Sequence, residues 1–290
     1  MPSLRDLTEL VRAPAALSVP GDVVAGAAAA DALDRRVPGL AGASVLLYWA
    51  GMAANDLADR ELDARERPER PIPSGRVSPG FALGVSAGLT AAGIGLAGLA
   101  GGRRALAVAV PLAGAVWAYD LWAKNTAAGP AVMATCRGLD VLLGASRGRM
   151  VRAVPAALTV AAHTYTVTEL SRREVSGATR ALPAATLAGT AAVAAAAVTR
   201  CTEPARRTGR RTLVPAALAG WYGLQYGTAQ ARVAADPQAS RVRAAVGAGI
   251  TGLPALQGAL VARTGATLLG VAVAAAAPIG RRLARLVSPT

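Results

Sequence analysis

Aromatic residues are scarce in this chain, with one Phe, four Trp and five Tyr among 290 residues. Nucleic-acid binders use aromatic side chains as stacking platforms. The shortage argues against a nucleic-acid partner, although 31 Lys and Arg outnumber 17 Asp and Glu. Cysteine is limited to Cys136 and Cys201, too few for a disulfide framework, and Cys136 in an apolar block reads as a small packing residue. Charge is sparse as well, at 17% of residues against 53% hydrophobic, with a mean hydropathy of +0.39. The charges fall in short clusters between long apolar blocks. Those blocks lack the wet face that an amphipathic helix of a soluble domain carries, so a soluble reading is disfavoured.

The apolar blocks run through 13–31, 39–54, 81–99, 104–122, 129–146, 153–170, 181–198, 213–230, 243–262 and 265–280. A perpendicular helix needs ~20 residues to cross ~30 Å of hydrocarbon, and flanking turns extend the shorter blocks to that length. Only helices and closed barrels satisfy their backbone groups in lipid, and blocks this long and Ala-rich are read as helices. The expected fold is all-α: a polytopic integral membrane bundle of nine or ten transmembrane helices, one domain over residues 1–290. The last two blocks are the doubtful pair, since Gly265 marks either a tight turn between two helices or a break in one longer element. Asp6, Glu9, Pro20 and Asp22 make the first block a poor secretory signal and point to an uncleaved first span. Lys and Arg counted loop by loop favour a cytoplasmic N-terminus by a modest margin. Ala, Gly, Ser and Thr dominate the blocks and permit close helix approach.

The segment 55–79 reads NDLADRELDARERPERPIPSGRVSP. Asp56, Asp59 and Asp63 are spaced i, i+3, i+7, which sets three carboxylates along one face if the second helix continues past the membrane. Asn55 lies beside Asp59 on that face. Stacked like charges repel, whereas a divalent cation reverses that sign; Mg²⁺ takes one or two carboxylates together with waters and phosphate oxygens. A solvated, mixed-charge loop with Arg60, Arg65 and Arg67 is the plain alternative.

The pattern N-D-x-x-D-x-x-x-D followed by R-P-I-P-S-G-R resembles the first signature of the UbiA-type intramembrane prenyltransferases, in which this loop also follows the second helix. The resemblance implies that Asn55, Asp56, Asp59 and Asp63 hold Mg²⁺ against the diphosphate of a prenyl donor, and that Arg70 and Arg76 help bind the diphosphate. Tyr119 to Lys124 resembles the family's Tyr-x-x-x-x-Lys element, implying diphosphate contacts from Tyr119 and the lysine. Lys124 is the only lysine in the chain, and a point-charge ammonium at a helix end suits a phosphate, a snorkelling lysine being the alternative. Asp120 is the next carboxylate within reach of metal or acceptor.

The family's second acidic motif, D-x-x-x-D with a glycine four residues on, matches less well. Counting back from Gly177, Glu169 fills the first acidic position, Arg173 stands at the second, and Glu174 is one residue out of register. Either Glu174 substitutes as a metal ligand beside Glu169, or a cation meets phosphate directly. The loops 55–79, 123–128 and 171–180 follow the second, fourth and sixth helices, so they share one membrane face. The RPIPSGR loop, the ELSRREVSG stretch and the C-terminal arrangement also resemble actinobacterial UbiA-like proteins, including those related to EboC.

Asp22, Arg137, Asp140, His163 and Gln225 lie inside apolar blocks, where an unpaired charge costs ~2.5–3.5 kcal/mol or more. Arg137 and Asp140, three residues apart, are expected to neutralise each other. His163 is either a satisfied packing residue or a proton acceptor facing the cavity. The implied activity is Mg²⁺-dependent transfer of a prenyl group from a prenyl diphosphate to a small acceptor, aromatic or otherwise electron-rich, in a multi-pass protein of the cell membrane with cytoplasmic motif loops. A transporter and a catalytically impaired UbiA-like scaffold in a membrane complex remain as alternatives. The D-G-x-x-A-R motif of CDP-alcohol phosphotransferases is absent.

Overall fold

The computed structural model describes residues 2–199 and 210–276, and it is helical throughout with no strand among them. Cys201 and residues 277–280 of the last apolar block lie outside the described residues. In chain order the helices are α1 (Leu4–Leu10), α2 (Val19–Ala29), α3 (Val37–Ala58), α4 (Arg60–Glu66), α5 (Pro79–Leu121), α6 (Gly129–Ala145), α7 (Met150–Ser171), α8 (Ala181–Val198), α9 (Arg210–Ala235) and α10 (Ala239–Ala262), followed by α11 (Thr267–Ala276). Short 3₁₀ turns at Ala13–Ser18 and Ala123–Asn125 lead into α2 and out of α5. Each apolar block of the sequence falls on one of these helices, and two blocks share α5.

Gly102 separates the two halves of α5, with φ 69° and ψ −158°. A side chain is strained in that conformation, so glycine is what lets the chain turn there and lay both halves against α3. The helices approach closely where glycines face backbone. A Cβ on Gly26 of α2 would sit 1.7 Å from the carbonyl oxygen of Val141 on α6, and one on Gly144 would sit 1.9 Å from that of Val23. Backbone packing this close is the use of small residues that lipid favours. Gly265, at φ 103°, is a tight turn: α11 folds back on α10 with Gly270 against Gly258.

Among the described residues four helices, α3, α5, α8 and α10, are long and apolar enough to cross a membrane, and α2 and α11 are shorter apolar helices. The expected spans α6, α7 and α9 are more polar, because they carry Arg137, Asp140, His163 and Gln230 into the interior, where all four are buried. Arg137 does not pair with Asp140 as its spacing suggests. Its Nε lies 2.7 Å from Asp22 Oδ2 on α2, off the N–H axis, and its guanidinium stands 5.7 Å from the Tyr48 ring centre. Gln257 Nε2 donates to Asp22 Oδ1 at 2.6 Å, and Asp140 Oδ1 accepts from the Ser44 hydroxyl. Two facing helices offer Arg137 and Asp140 better partners than their own helix does.

Candidate active site

The acidic segment sits where α3 runs into α4. Asp59 is the hinge, at φ −88° and ψ 2°, yet its N–H still bonds Asn55 at 2.9 Å and its carbonyl accepts from Asp63 at 2.8 Å. The near-continuous helix keeps the carboxylates on neighbouring turns but divides them into two groups. Asp56 and Asp63, both buried, share Arg70, whose Nη1 is 3.4 Å from Asp56 Oδ1 and 2.7 Å from Asp63 Oδ2. Asn55 and Asp59 turn toward Lys124, whose Nζ reaches Asn55 Oδ1 at 2.9 Å and Asp59 Oδ1 at 2.7 Å. The structure thus brings the first two motif loops into direct contact.

Arg70 is positioned by the Pro-rich turn that follows α4. The Ser74 hydroxyl donates to the Arg70 carbonyl at 2.6 Å, Gly75 takes φ 76°, and Ile72 and Val77 bury against Leu10, Ala53 and Ala82. Apolar anchoring of the loop therefore carries Arg70 over the acidic face. Arg76 is engaged elsewhere, with Asp6 at 2.6 Å and Glu9 at 3.0 Å on α1. These partners raise its already high pKa, Glu9 contributing most. Asp6 falls from 3.8 to about 2, chiefly through hydrogen bonds from the Ser3 hydroxyl and amide, with Arg76 adding to the effect.

Arg12 has no signal in the sequence motifs. It adopts φ 44°, in the left-handed region that residues other than glycine seldom occupy, and its Nη2 lies 2.5 Å from Asp56 Oδ1. It also borders a cavity of about 230 Å³ lined by Asn55, Tyr119, Asp120, Val116, Met133 and Cys136, among others. Polar groups gather on Arg12, Asn55 and Asp120, while Val116, Met133 and Cys136 supply apolar wall. Asp120 reaches this space beside Gly51, where a Cβ would come within 2.7 Å of its carboxylate.

The third motif segment approaches through its arginines. The guanidinium of Arg172 donates to the Thr126 carbonyl, tying the end of α7 to the loop after α5. Arg172 and Arg173 line a second space, about 270 Å³, with Lys124 and Asn125. Glu169 is half-buried and lines neither cavity. Glu174 is held above the ordinary carboxylate range by burial, opposed by Arg243 of α10, whose guanidinium also donates to the Glu174 carbonyl at 2.8 Å. His163 is a buried packing residue: its Nδ1 lies 2.9 Å from the Tyr222 hydroxyl, and Tyr222 and Tyr226 meet its ring edge-on. Gln225 bonds Thr251 at 3.0 Å.

No cluster of three or more His, Cys, Asp or Glu side chains is assembled for a metal among the described residues. The donors at α3–α4 are nonetheless hard oxygens, three carboxylates and an amide, and each carboxylate now faces a cation. Mg²⁺ needs only one or two such carboxylates beside waters and phosphate oxygens, so the donor set fits it in kind.

The UbiA prenyltransferase family profile matches residues 19–287. The chain belongs to the UbiA prenyltransferase family. Among curated proteins it is similar to the digeranylgeranylglyceryl phosphate synthase of Methanothrix thermoacetophila, 54% identical over 57 residues, which is 20% of this chain and 21% of that one. The synthase of the same name from Halobacterium salinarum is 36% identical over 154 residues, 49% of this chain and 52% of that one. These matches therefore span about a fifth to about half of the relatives' own lengths.

Two solved structures share the fold of this UbiA family member. One, from work on the biosynthesis of digeranylgeranylglyceryl phosphate synthase in membranes, superposes with a TM-score of 0.67 at 15% identity, covering 90% of this chain and 98% of the other. The apo UbiA homolog from Aeropyrum pernix K1 gives 0.65 at 18% identity, covering 85% and 96%. The four apolar helices and the family place the chain among membrane proteins.

Proposed function

We propose that this UbiA family protein transfers a prenyl group from a prenyl diphosphate to a small electron-rich acceptor, with the whole of residues 1–290 forming one catalytic membrane domain. The observation that carries the reading is the junction of Lys124 with Asn55 and Asp59 beside a cavity that is polar at Arg12, Asn55 and Asp120 and apolar along Val116 and Met133. A diphosphate and the first carbons of an isoprenoid need that division of chemistry.

In the reaction the C1–oxygen bond breaks heterolytically, the diphosphate leaves with the electron pair, and C1 gains carbocation character. The acceptor's electron pair then forms the new bond to C1, and the acceptor loses a proton. Lys124 stabilises charge on the departing diphosphate, with Arg70 and Tyr119 as further contacts. Such preorganised donors act strongly in a water-poor site. Arg76 joins them by releasing α1, and Arg12 is a nearer cation than the motif suggests. Asp120, in the cavity wall, is the group placed to orient the acceptor or take its proton. Mg²⁺ held by Asn55, Asp56, Asp59 and Asp63, with Glu169 or Glu174 as further carboxylates, would neutralise charge on the leaving diphosphate.

Aromatic and hydroxyl-bearing acceptors both fit this chemistry. The name shared by the archaeal relatives adds a glyceryl phosphate lipid to the acceptors to be tested. The narrower kinship with actinobacterial proteins related to EboC rests on the RPIPSGR and ELSRREVSG stretches. The arginine-rich loops favour a cell-membrane protein with its N-terminus and motif loops on the cytoplasmic side.

The test incubates membranes holding the protein with labelled prenyl diphosphates of several lengths, with and without Mg²⁺. Metal-dependent diphosphate release, reduced at least ~100-fold by Asp56→Ala and by Asp59→Ala, is expected. Tight donor binding without turnover on any acceptor pool would instead favour the scaffold reading.

A further inference from the structure

Where the first motif gathers acids, the segment after α7 gathers cations. Arg172, Arg173, Lys124 and Asn125 line one space of about 270 Å³, and no carboxylate belongs to its wall. Three cations around the first motif are committed: Arg12 to Asp56, Arg70 to Asp56 and Asp63, and Arg76 to Asp6 and Glu9. Among the described residues neither Arg172 nor Arg173 has such a carboxylate partner. Arg172 is anchored through Thr126. Lys124 belongs to both groups, since it also bonds Asn55 and Asp59.

Like charges around one space repel, and an anion with several oxygens turns that repulsion into attraction. A guanidinium presents two parallel donors that match a phosphate, and an ammonium adds a point charge. We propose that Lys124, Asn125, Arg172 and Arg173 form a phosphate subsite that binds a phosphate group directly, through guanidinium and ammonium, with no metal between. Its role in catalysis rests on the prenyl-transfer reading; its capacity to bind phosphate does not. The phosphate belongs either to the distal end of the donor diphosphate or to a phosphate monoester on the acceptor.

The experiment measures binding of inorganic pyrophosphate and of glycerol phosphate to the purified full-length protein in detergent by calorimetry, with EDTA present. Pyrophosphate or glycerol phosphate binds without metal, and Arg173→Ala and Arg172→Ala each weaken that binding about tenfold or more. Arg173→Lys recovers part of the loss because it restores charge without the two-donor fork. Stronger binding of pyrophosphate assigns the subsite to the donor, and stronger binding of glycerol phosphate assigns it to the acceptor.

Unchanged affinity in both alanine variants, with melting profiles like that of the parent, overturns the proposal, as does binding that appears only with Mg²⁺. Prenyl transfer with no arginine-dependent phosphate binding removes the subsite and keeps the function. Arginine-dependent binding in a protein that turns over no donor does the reverse.

Discussion

Lys124 Nζ lies 2.7 Å from Asp59 Oδ1 and 2.9 Å from Asn55 Oδ1, joining two loops that are more than sixty residues apart in the chain. The pair fixes where the chain's only lysine ammonium stands. It also places that ammonium between the acidic face of α3–α4 and the arginine-lined space.

Removing the ammonium is expected to slow prenyl transfer while leaving the fold intact. Lys124→Met lowers kcat by about 10²–10³-fold, the scale of losing one preorganised donor at a site of developing negative charge. Lys124→Arg recovers only part, since a planar guanidinium does not reproduce a compact point charge. Steady-state assays on labelled donor separate kcat from KM, and wild-type rates in both variants would exclude Lys124 from the reaction.

Arg70 neutralises two buried carboxylates at once, its own side chain being 18% exposed and those of Asp56 and Asp63 5% each. Arg70→Ala leaves Asp63 without its counterion and Asp56 with Arg12 alone, and costs up to about 3 kcal/mol in EDTA, the low end for breaking a buried pair. A divalent cation replaces the lost charge, so the fall in Tm is smaller in Mg²⁺. Equal losses with and without Mg²⁺ would mean that these carboxylates do not take the metal.

The N-terminal cap of α1, where Ser3 and Asp6 bond each other, is expected to be acid-sensitive. Asp6 titrates at about 2 when folded instead of 3.8, so its contribution is fully present above 3.8. That contribution is lost as pH falls from 3.8 through about 2, because the unfolded carboxyl takes up its proton first. Hydrogen exchange of residues 3–12 should rise across that window, and Asp6→Asn should flatten the rise.

The interior pair Asp22–Arg137 makes a contrasting case. Arg137→Leu alone strands a carboxylate that is 0% exposed and costs about 3–5 kcal/mol, whereas Asp22→Leu with Arg137→Leu comes close to neutral. Unfolding in detergent across the double-mutant cycle measures the difference. A double-variant loss equal to the sum of the two single losses would show that the pair is not energetically coupled.

Much of this was legible in the amino-acid order. Blocks such as 39–54 and 181–198 declare helices because a charge-free run too long for a barrel strand satisfies its backbone in lipid as a helix. The spacing of Asp56, Asp59 and Asp63 places carboxylates on successive turns because the helical period is fixed. Arg12 was invisible, since nothing in its neighbours reports a left-handed backbone that returns it to Asp56. Arg137 was legible as an intramembrane charge needing a partner. Its partner was not legible, because spacing within α6 describes one helix and Asp22 lies on another.

The sequence by itself determined the helices, the family pattern and the departure at Arg173, all of which are local in the chain. Tertiary structure alone decided that Asn55 and Asp59 would face Lys124 while Asp56 and Asp63 faced Arg70, that Arg76 would go to α1, and that Glu174 would stand by Arg243. These choices depend on which helices pack together and how closely. Gly26 against the Val141 carbonyl and the turn at Gly102 set that closeness through three-dimensional contact, which one-dimensional spacing does not encode.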